Sequence, residues 1–437
     1  MKVVLHKEIN LRKETFGSIL LVPFELERPD IPQFFKLNRI GTAVLEHCTI
    51  PISVTNLTEK VIKKYPTSDK NVIESFINEL SQIGILRLVD NNSFSRVDRY
   101  DLTKVNLKFT PKLSAPLSAF IEITDKCILQ CIHCYTRSKI KEDKNVEDRS
   151  QWIFQLIDEL AELGVMTVGF GGGEPSLDKN LSKYLSRCAS SKIKTAISTS
   201  GVLINNENAI KLKNAGLGIA QISIDGPPSV HDFIRGNGVY SKAINALKNF
   251  SEIGVETRVA MTVSSINWNL VEETANLAFT HGADRFVVFR YMPSGANGDK
   301  LSLSLNELKR VASKLVLLEK KHSETVIGYE PLCFYPHLVD ESYSLLGPCN
   351  AGNDVLNICA DGTVTPCPHM RDYHLGKYPN DSLEKMWQKA AEFGKEIMSK
   401  PPQDCFGCMF ESNCGGGCNC NLTNDGIRSK DVMCWRD

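Results

Sequence analysis

The sequence predicts an α/β fold: a partial (β/α)6 TIM barrel, with a small winged-helix-like domain before it and a cysteine-rich domain after it. Three observations carry this expectation. Strand-like and helix-like runs alternate through the middle of the chain, the N-terminal quarter carries a different mixture of helices and short strands, and nine of the fifteen cysteines crowd between Cys333 and Cys420. At 437 residues the chain is long enough for two to three domains, each burying its own core.

The first domain is assigned to residues 1–105. In "NVIESFINELSQIGIL" the spacing of Val72, Phe76, Leu80 and Ile83 predicts one apolar helical face, with Ser68 or Asp69 placed to cap the helix. "FFKLNRIGTAVLEH" and "SVTNLTEKVIKKY" read as two further helices, and "GSILLV" and "ILRLV" as short strands. Helices beside a small sheet suggest a winged-helix-like module, a shape also used to bind DNA. The charge argues against DNA here: residues 1–104 hold 15 Lys/Arg against 13 Asp/Glu, a weak balance when affinity comes from several neutralised phosphates. The polar stretch "NNSFSRVDRYDLTKVNLKFTPKLSAP", with two prolines near its end, reads as a linker.

The barrel is assigned to residues 106–310. Strand-like runs occur at "SAFIEIT", "VMTVGF", "KTAIST", "IAQISID", "TRVAMTV" and "RFVVFRY". Helical patterns separate them, as in "SQWIFQLIDELAELG", where Ile153, Leu156, Ile157, Leu160 and Leu163 form one stripe. This alternation predicts parallel strands joined by right-handed crossovers. Six such units make most of an eight-unit barrel, whose sites sit at the C-terminal ends of the strands. From about Leu301 a helix, "SLNELKRVASKLVLLEKKH", leads into the last domain, residues 311–437. That region is rich in Cys and Gly and nearly without periodicity, so metal binding is the expected source of its stability.

Composition removes several classes of function. Lys+Arg and Asp+Glu both total 51, so no net charge favours nucleic acid or an anionic membrane. The N-terminus "MKVVLHKEINLRKETFGSILL" lacks the apolar core of a signal peptide, and no apolar run approaches the ~20 residues that cross a bilayer. A cytoplasmic location is expected. There, fifteen cysteines argue for metal or redox use rather than a disulfide framework. Cys48 and Cys188 are exceptions, expected in the core; Cys188 shares a helical stripe with Leu181 and Leu185.

The stretch "TDKCILQCIHCYTRSK" follows the first barrel strand and holds Cys127, Cys131 and Cys134, with the next cysteine only at Cys188. A structural zinc needs four protein ligands. A cubane iron–sulfur cluster has four irons, so three cysteines would hold it and leave one iron open to a substrate or cofactor.

The motif "CILQCIHC" resembles the CxxxCxxC signature of radical S-adenosylmethionine (SAM) enzymes, including a ring-bearing residue, His133, before the last cysteine. Companion motifs stand in the order that family requires, across residues 117–300. "GGGEP" follows the second strand; the resemblance implies that Gly172, Gly173, Glu174 and Pro175 offer backbone groups and a carboxylate to the SAM amino group. Glycines let a backbone approach a ligand closely. "TAISTSG" ends the third strand and offers Ser198 and Ser200, the latter where the family often has Asn. "SIDGPPSVHDFIRG" supplies Ser223, Asp225 and Arg235, the last suited to pair with the SAM carboxylate, while His231 reads as structural. "RYMPSG" resembles the family's adenine-side backbone contact.

The C-terminal cysteines extend the resemblance. Cys349, Gly362, Cys367, Cys405, Cys408, Cys414, Cys418 and Cys434 are spaced as in the SPASM domain of radical SAM peptide-modifying enzymes, which binds two auxiliary 4Fe–4S clusters. Position by position, this implies Cys349, Cys367 and Cys418 for the first auxiliary cluster and Cys405, Cys408, Cys414 and Cys434 for the second. Cys333 is a candidate to complete the first, at a longer spacing than the pattern suggests; otherwise one iron stays open. Cys359 and Cys420 fall outside the pattern. With the SAM cluster, three 4Fe–4S clusters are expected.

In this company the first domain resembles a RiPP recognition element, the module that captures the leader of a ribosomally made precursor peptide by strand addition. The implied function is a radical SAM peptide maturase that installs a thioether or carbon–carbon cross-link, served by a flavodoxin- or ferredoxin-type electron donor. Two alternatives stand beside it: a radical SAM enzyme of heme-type tetrapyrrole biosynthesis, and a non-catalytic iron–sulfur redox or peptide-binding protein. Sulfatase maturation is disfavoured, because that subfamily has an Asp after the cysteine matching Cys367, where this chain has Pro368. His369, Asp372, Tyr373 and His374 are equally placed as a general base.

Overall fold

The structure, a computed structural model, describes residues 2–7, 9–22, 33–89, 113–136, 146–293, 298–322, 327–329, 349–408, 411, 415–418, 420, 431 and 434. Most of the expected linker, with Cys333 and Cys414, lies outside the described residues. Contacts divide the chain into two compact units, Met1–Pro111 and Lys112–Asp437, where the sequence suggested three stretches.

In the first unit β1 (Lys2–Leu5), β2 (Asn10–Glu14), β3 (Gly17–Leu21) and β4 (Phe34–Asn38) precede α1 (Arg39–His47). Then follow β5 (Ile52–Ser53), α2 (Val54–Lys64), α3 (Lys70–Gln82) and β6 (Leu86–Leu88). They form two antiparallel sheets, β5-β1-β6 and β2-β3-β4.

Two details differ from the sequence expectation. The stretch "FFKLN" is a strand paired with β3, and the helix begins only at Arg39, where the Asn38 side chain accepts the Gly41 N–H at 2.8 Å. A short apolar run is ambiguous between strand and helix until a partner strand claims it. In α3, capped by Asp69 as expected, the buried face is Ile73, Ile77 and Leu80, while Val72 is 65% exposed. Leu80 and Ile83 of the expected face are buried and Phe76 packs against the same core, so the buried face overlaps the expected one and extends round the helix to Ile73 and Ile77 in place of Val72. These residues share one core with Val44, Leu57, Val61, Val3 and Leu20.

The second unit is built on one ten-stranded sheet. Its centre is the six expected strands in sequence order, all parallel: β7 (Ser118–Thr124), β8 (Thr167–Gly172), β9 (Lys194–Thr199), β10 (Ile219–Ser223), β11 (Glu256–Val263) and β12 (Arg285–Arg290). The helices between them are α4 (Val146–Glu162), α5 (Leu181–Ser190), α6 (Asn206–Asn214), α7 (Pro228–Arg235), α8 (Val239–Glu252) and α9 (Val271–Thr280). The α4 stripe of Ile153, Leu156, Ile157 and Leu160 is fully buried, and Cys188 is buried beside Leu181 and Leu185 on α5.

The last stretch does not stand apart from the barrel. After α10 (Leu305–Lys321), opened by a Ser304/Glu307 capping box, β13 (Ile327–Tyr329) adds parallel to β12 at one edge. At the other edge β14 (Val355–Ile358) pairs parallel with β7 and continues antiparallel into β15 (Thr363–Thr365) and β16 (Gly376–Lys377), before α11 (Leu383–Ser399). The cysteine-rich segment is therefore fixed beside the strand that carries the Cys127 loop. Among the described residues no helix is long and apolar enough to cross a membrane.

Candidate active site

The Cys127 loop leaves the end of β7, and the "GGGEP" turn leaves the end of neighbouring β8. The Gly173 N–H donates to the Thr124 carbonyl and the Glu174 N–H to the Lys126 carbonyl, each at 2.7 Å. A Cβ on Gly173 would lie 2.0 Å from the Lys126 carbonyl oxygen, and Gly172 has φ +108° with its missing Cβ facing Thr124. These glycines thus let the turn close on the cysteine loop, a reason for them that the sequence did not disclose.

Glu174 is buried, and its carboxylate is filled by protein donors. One oxygen accepts from the Ser176 N–H at 3.2 Å, the Ser176 hydroxyl at 2.6 Å and the Thr199 hydroxyl at 2.6 Å. The other accepts from the Ser200 N–H at 2.9 Å and its hydroxyl at 2.5 Å. Glu174 and Ser200, expected separately as SAM contacts, are here bonded to each other and brace the ends of β8 and β9.

A second network lies under the cysteines. Asp225, fully buried beyond β10, meets His133 Nε2 at 2.8 Å, accepts from Arg235 Nε and takes the Thr262 N–H at 2.9 Å. Burial alone would raise the Asp225 carboxyl; Arg235 and His133 outweigh it and hold the group ionised, well below the usual carboxylate range. Asp225 therefore acts on the site through His133 and Arg235, and the Arg235 guanidinium reaches within 4.0 Å of Cys131 Sγ. His231 is fully buried and structural, its Nδ1 accepting the Asp225 N–H at 3.1 Å.

These parts surround one cavity of about 530 Å³. Of the expected residues, Cys127, Cys131, His133, Cys134, Gly172, Gly173, Glu174, Ser198, Ser200, Ser223 and Arg235 line it. So do Cys349, Cys367 and Cys418 from the final stretch, with Tyr291 and Met292 after β12. Pro175 and Asp225 are buried and, like Cys405, Cys408 and Cys434, are not among the lining residues. The two outlying cysteines split: Cys359 is buried outside the lining, while Cys420 joins it, its Sγ 3.9 Å from Cys367 Sγ.

The donor set fits iron–sulfur clusters. All described cysteines are free thiols, and no three His, Cys, Asp or Glu among the described residues converge tightly enough for a single metal ion. A cubane asks for less convergence, since each thiolate goes to a different iron. Burial pushes the Cys131 thiol up to about 11 despite the counteracting Arg235, so cluster iron would supply the charge that stabilises its thiolate.

Further contacts around the site are visible only in the fold. Arg290, at the end of β12, makes a buried bidentate pair with Asp431 at 2.8 Å in both arms, and Asp431 also accepts the Cys418 N–H at 2.9 Å. The tail that carries Cys418 is thereby tied to the barrel. Arg371 pairs with buried Glu122 on β7 and lies 5.8 Å from the Tyr135 ring, which itself sits 4.8 Å from His369. Of the four candidate bases, His369 alone is among the lining residues.

Comparison with known proteins agrees with this geometry. Residues 121–278 match the radical SAM superfamily, and residues 349–409 match SPASM, an iron–sulfur cluster-binding domain. Mycofactocin maturase MftC of Mycobacterium ulcerans is 28% identical over 320 residues, covering 71% of this chain and 85% of the relative. Fe-coproporphyrin III synthase of Methanosarcina barkeri is 26% identical over 325 residues, covering 67% and 81%. The crystal structure of Streptococcus suis SuiB bound to its precursor peptide SuiA shares the fold over 100% of both chains, with a TM-score of 0.71 at 20% identity.

Proposed function

Because the chain is a radical SAM enzyme with a SPASM iron–sulfur domain, we propose that it matures a ribosomally made precursor peptide by forming a thioether or carbon–carbon cross-link. The observation that carries this reading is the shared cavity: Cys127, Cys131 and Cys134 face the same space as Cys349, Cys367 and Cys418. A cross-link removes two hydrogens, one as an atom and one as a proton with an electron, so a hydrogen-abstracting centre and an electron acceptor must both reach one substrate.

Bound at the Cys127 site, the cluster and SAM would supply a 5′-deoxyadenosyl radical, and the protein's part is position and exclusion of water. The Cys127 loop is pinned by the Gly173 and Glu174 N–H groups, and His133 is fixed on Asp225. Ser198, Ser223 and Arg235 present polar groups to the cavity, with Arg235 available for an anionic group beside Cys131. Cys349, Cys367 and Cys418 would hold the auxiliary cluster that accepts the electron, while Cys405, Cys408, Cys414 and Cys434 would hold the second.

The first unit would take the leader of the peptide. Among the described residues β4 pairs only with β3, which leaves an edge that an extended peptide can join. That SuiB binds a precursor peptide and that mycofactocin maturase is so named support this reading. A flavodoxin- or ferredoxin-type donor would supply the reducing electron, and the cytoplasm would be the compartment.

The test is mass spectrometry of the precursor encoded beside the gene after co-expression with this enzyme. A loss of two hydrogens supports the cross-link. An unchanged mass together with conversion of an iron porphyrin would transfer the assignment to tetrapyrrole chemistry, as the Fe-coproporphyrin III synthase similarity allows.

A further inference from the structure

The spacing pattern leaves the first auxiliary cluster with three thiols, Cys349, Cys367 and Cys418, against four irons that each need a ligand. The fold brings a fourth thiol to them that the pattern does not contain. Cys420 stands two residues beyond Cys418, so the same short segment presents both. Its Sγ is 3.9 Å from Cys367 Sγ, and the Cys418 side chain is also within its hydrogen-bonding reach. Cys367 and Cys420 pack together against an apolar cluster of Cys349, Met370, Phe393 and Ile397, and all four cysteines line the one cavity. None is in a disulfide. The segment is anchored by Asp431, which accepts the Cys418 N–H and pairs with Arg290.

The geometry points to Cys420 as the fourth protein ligand of the auxiliary cluster held by Cys349, Cys367 and Cys418. Ligation costs each thiol its proton, released to solvent, and gives every iron of that cluster a protein sulfur. The cluster is then closed: it exchanges electrons with the substrate and offers no iron to a substrate thiolate. This assignment rests on the SPASM reading of the C-terminal region and is independent of what the peptide becomes.

The experiment uses the full chain with Cys127, Cys131 and Cys134 all replaced by Ala, reconstituted anaerobically, so that only auxiliary clusters contribute. Stoichiometric ferricyanide is then added, and iron content and EPR are measured. A cubane lacking a protein ligand at one corner loses one electron to ferricyanide and releases that iron as Fe²⁺, so that 4Fe–4S³⁺ becomes 3Fe–4S⁺. The expected result is a parent that keeps its iron and, on adding Cys420→Ala, a loss of about one iron per chain with the EPR signal of a three-iron cluster. Cys420→Ser, which keeps the side-chain volume, is read in the same way should the Ala variant precipitate. Cys333→Ala in the same background is expected to resemble the parent.

Equal sensitivity to ferricyanide with and without Cys420 would overturn the assignment, as would a three-iron signal that follows Cys333→Ala instead. A parent with no iron at all would overturn the SPASM reading as well. An unmodified peptide alongside the expected iron result would strike only the proposed function.

Discussion

Replacing Glu174 by Gln tests whether this carboxylate is a brace or a ligand. In the fold it accepts five hydrogen bonds, from the Ser176 N–H and hydroxyl, the Thr199 hydroxyl, and the Ser200 N–H and hydroxyl, while only 1% of the residue is exposed. A Gln amide of the same shape has one oxygen. Its NH₂ must face either the Ser200 N–H or the Ser176 N–H, and that backbone donor loses its acceptor at a cost of about 1–3 kcal/mol. Hydroxyls can turn to accept from the new NH₂, but the bonds that remain lose their charge assistance, roughly half their strength. Together these predict a destabilisation of about 3 kcal/mol. The assay is urea denaturation followed by tryptophan fluorescence, on wild type and E174Q matched in iron content, read as a midpoint shift at unchanged slope. Equilibrium dialysis with SAM on the same samples completes it. A midpoint shift under about 0.5 kcal/mol combined with a tenfold or greater loss of SAM binding would refute the bracing argument and make Glu174 a direct ligand.

Two further outcomes follow from buried charges and a buried imidazole. Asp431→Ala leaves Arg290 without its bidentate partner and frees the Cys418 N–H, so it should destabilise the protein by about 3–5 kcal/mol, measured by the same denaturation; an effect under about 1 kcal/mol would mean that the pair does not tie the tail to the barrel. Burial lowers His231 to about 4 from an ordinary value near 6.5, so the unfolded chain binds the proton first: the stability that the neutral ring contributes is present above pH ~6.5 and is lost as pH falls towards 4. Between pH 7 and pH 5 the wild type should therefore lose about 2 kcal/mol more than His231→Asn, and parallel pH profiles for the two proteins would contradict this.

The sequence by itself determined whatever is written at short range. Strand and helix alternation fixed six parallel strands in order, because a crossover helix returns the chain to the neighbouring position. The spacing of Cys127, Cys131 and Cys134, and its place after the first strand, put that loop at the C-terminal face where the cavity opens. Asp69 announced its helix through a cap, which involves only neighbouring residues. Tertiary structure decided what depends on distant partners. The residues "FFKLN" became a strand because β3 was available to pair with them, and α3 turned its Ile73/Ile77 face inward because Val44, Leu57 and Val61 waited there. Glu174 met Ser200 across the ends of two strands, Arg290 met Asp431 across 141 positions, and Cys420 met Cys367 across 53. Such pairs leave no periodic trace in the chain. Their geometry is set by sheet register and by the path of the tail, and only when both are formed does a carboxylate find its donors or a fourth thiol its three companions.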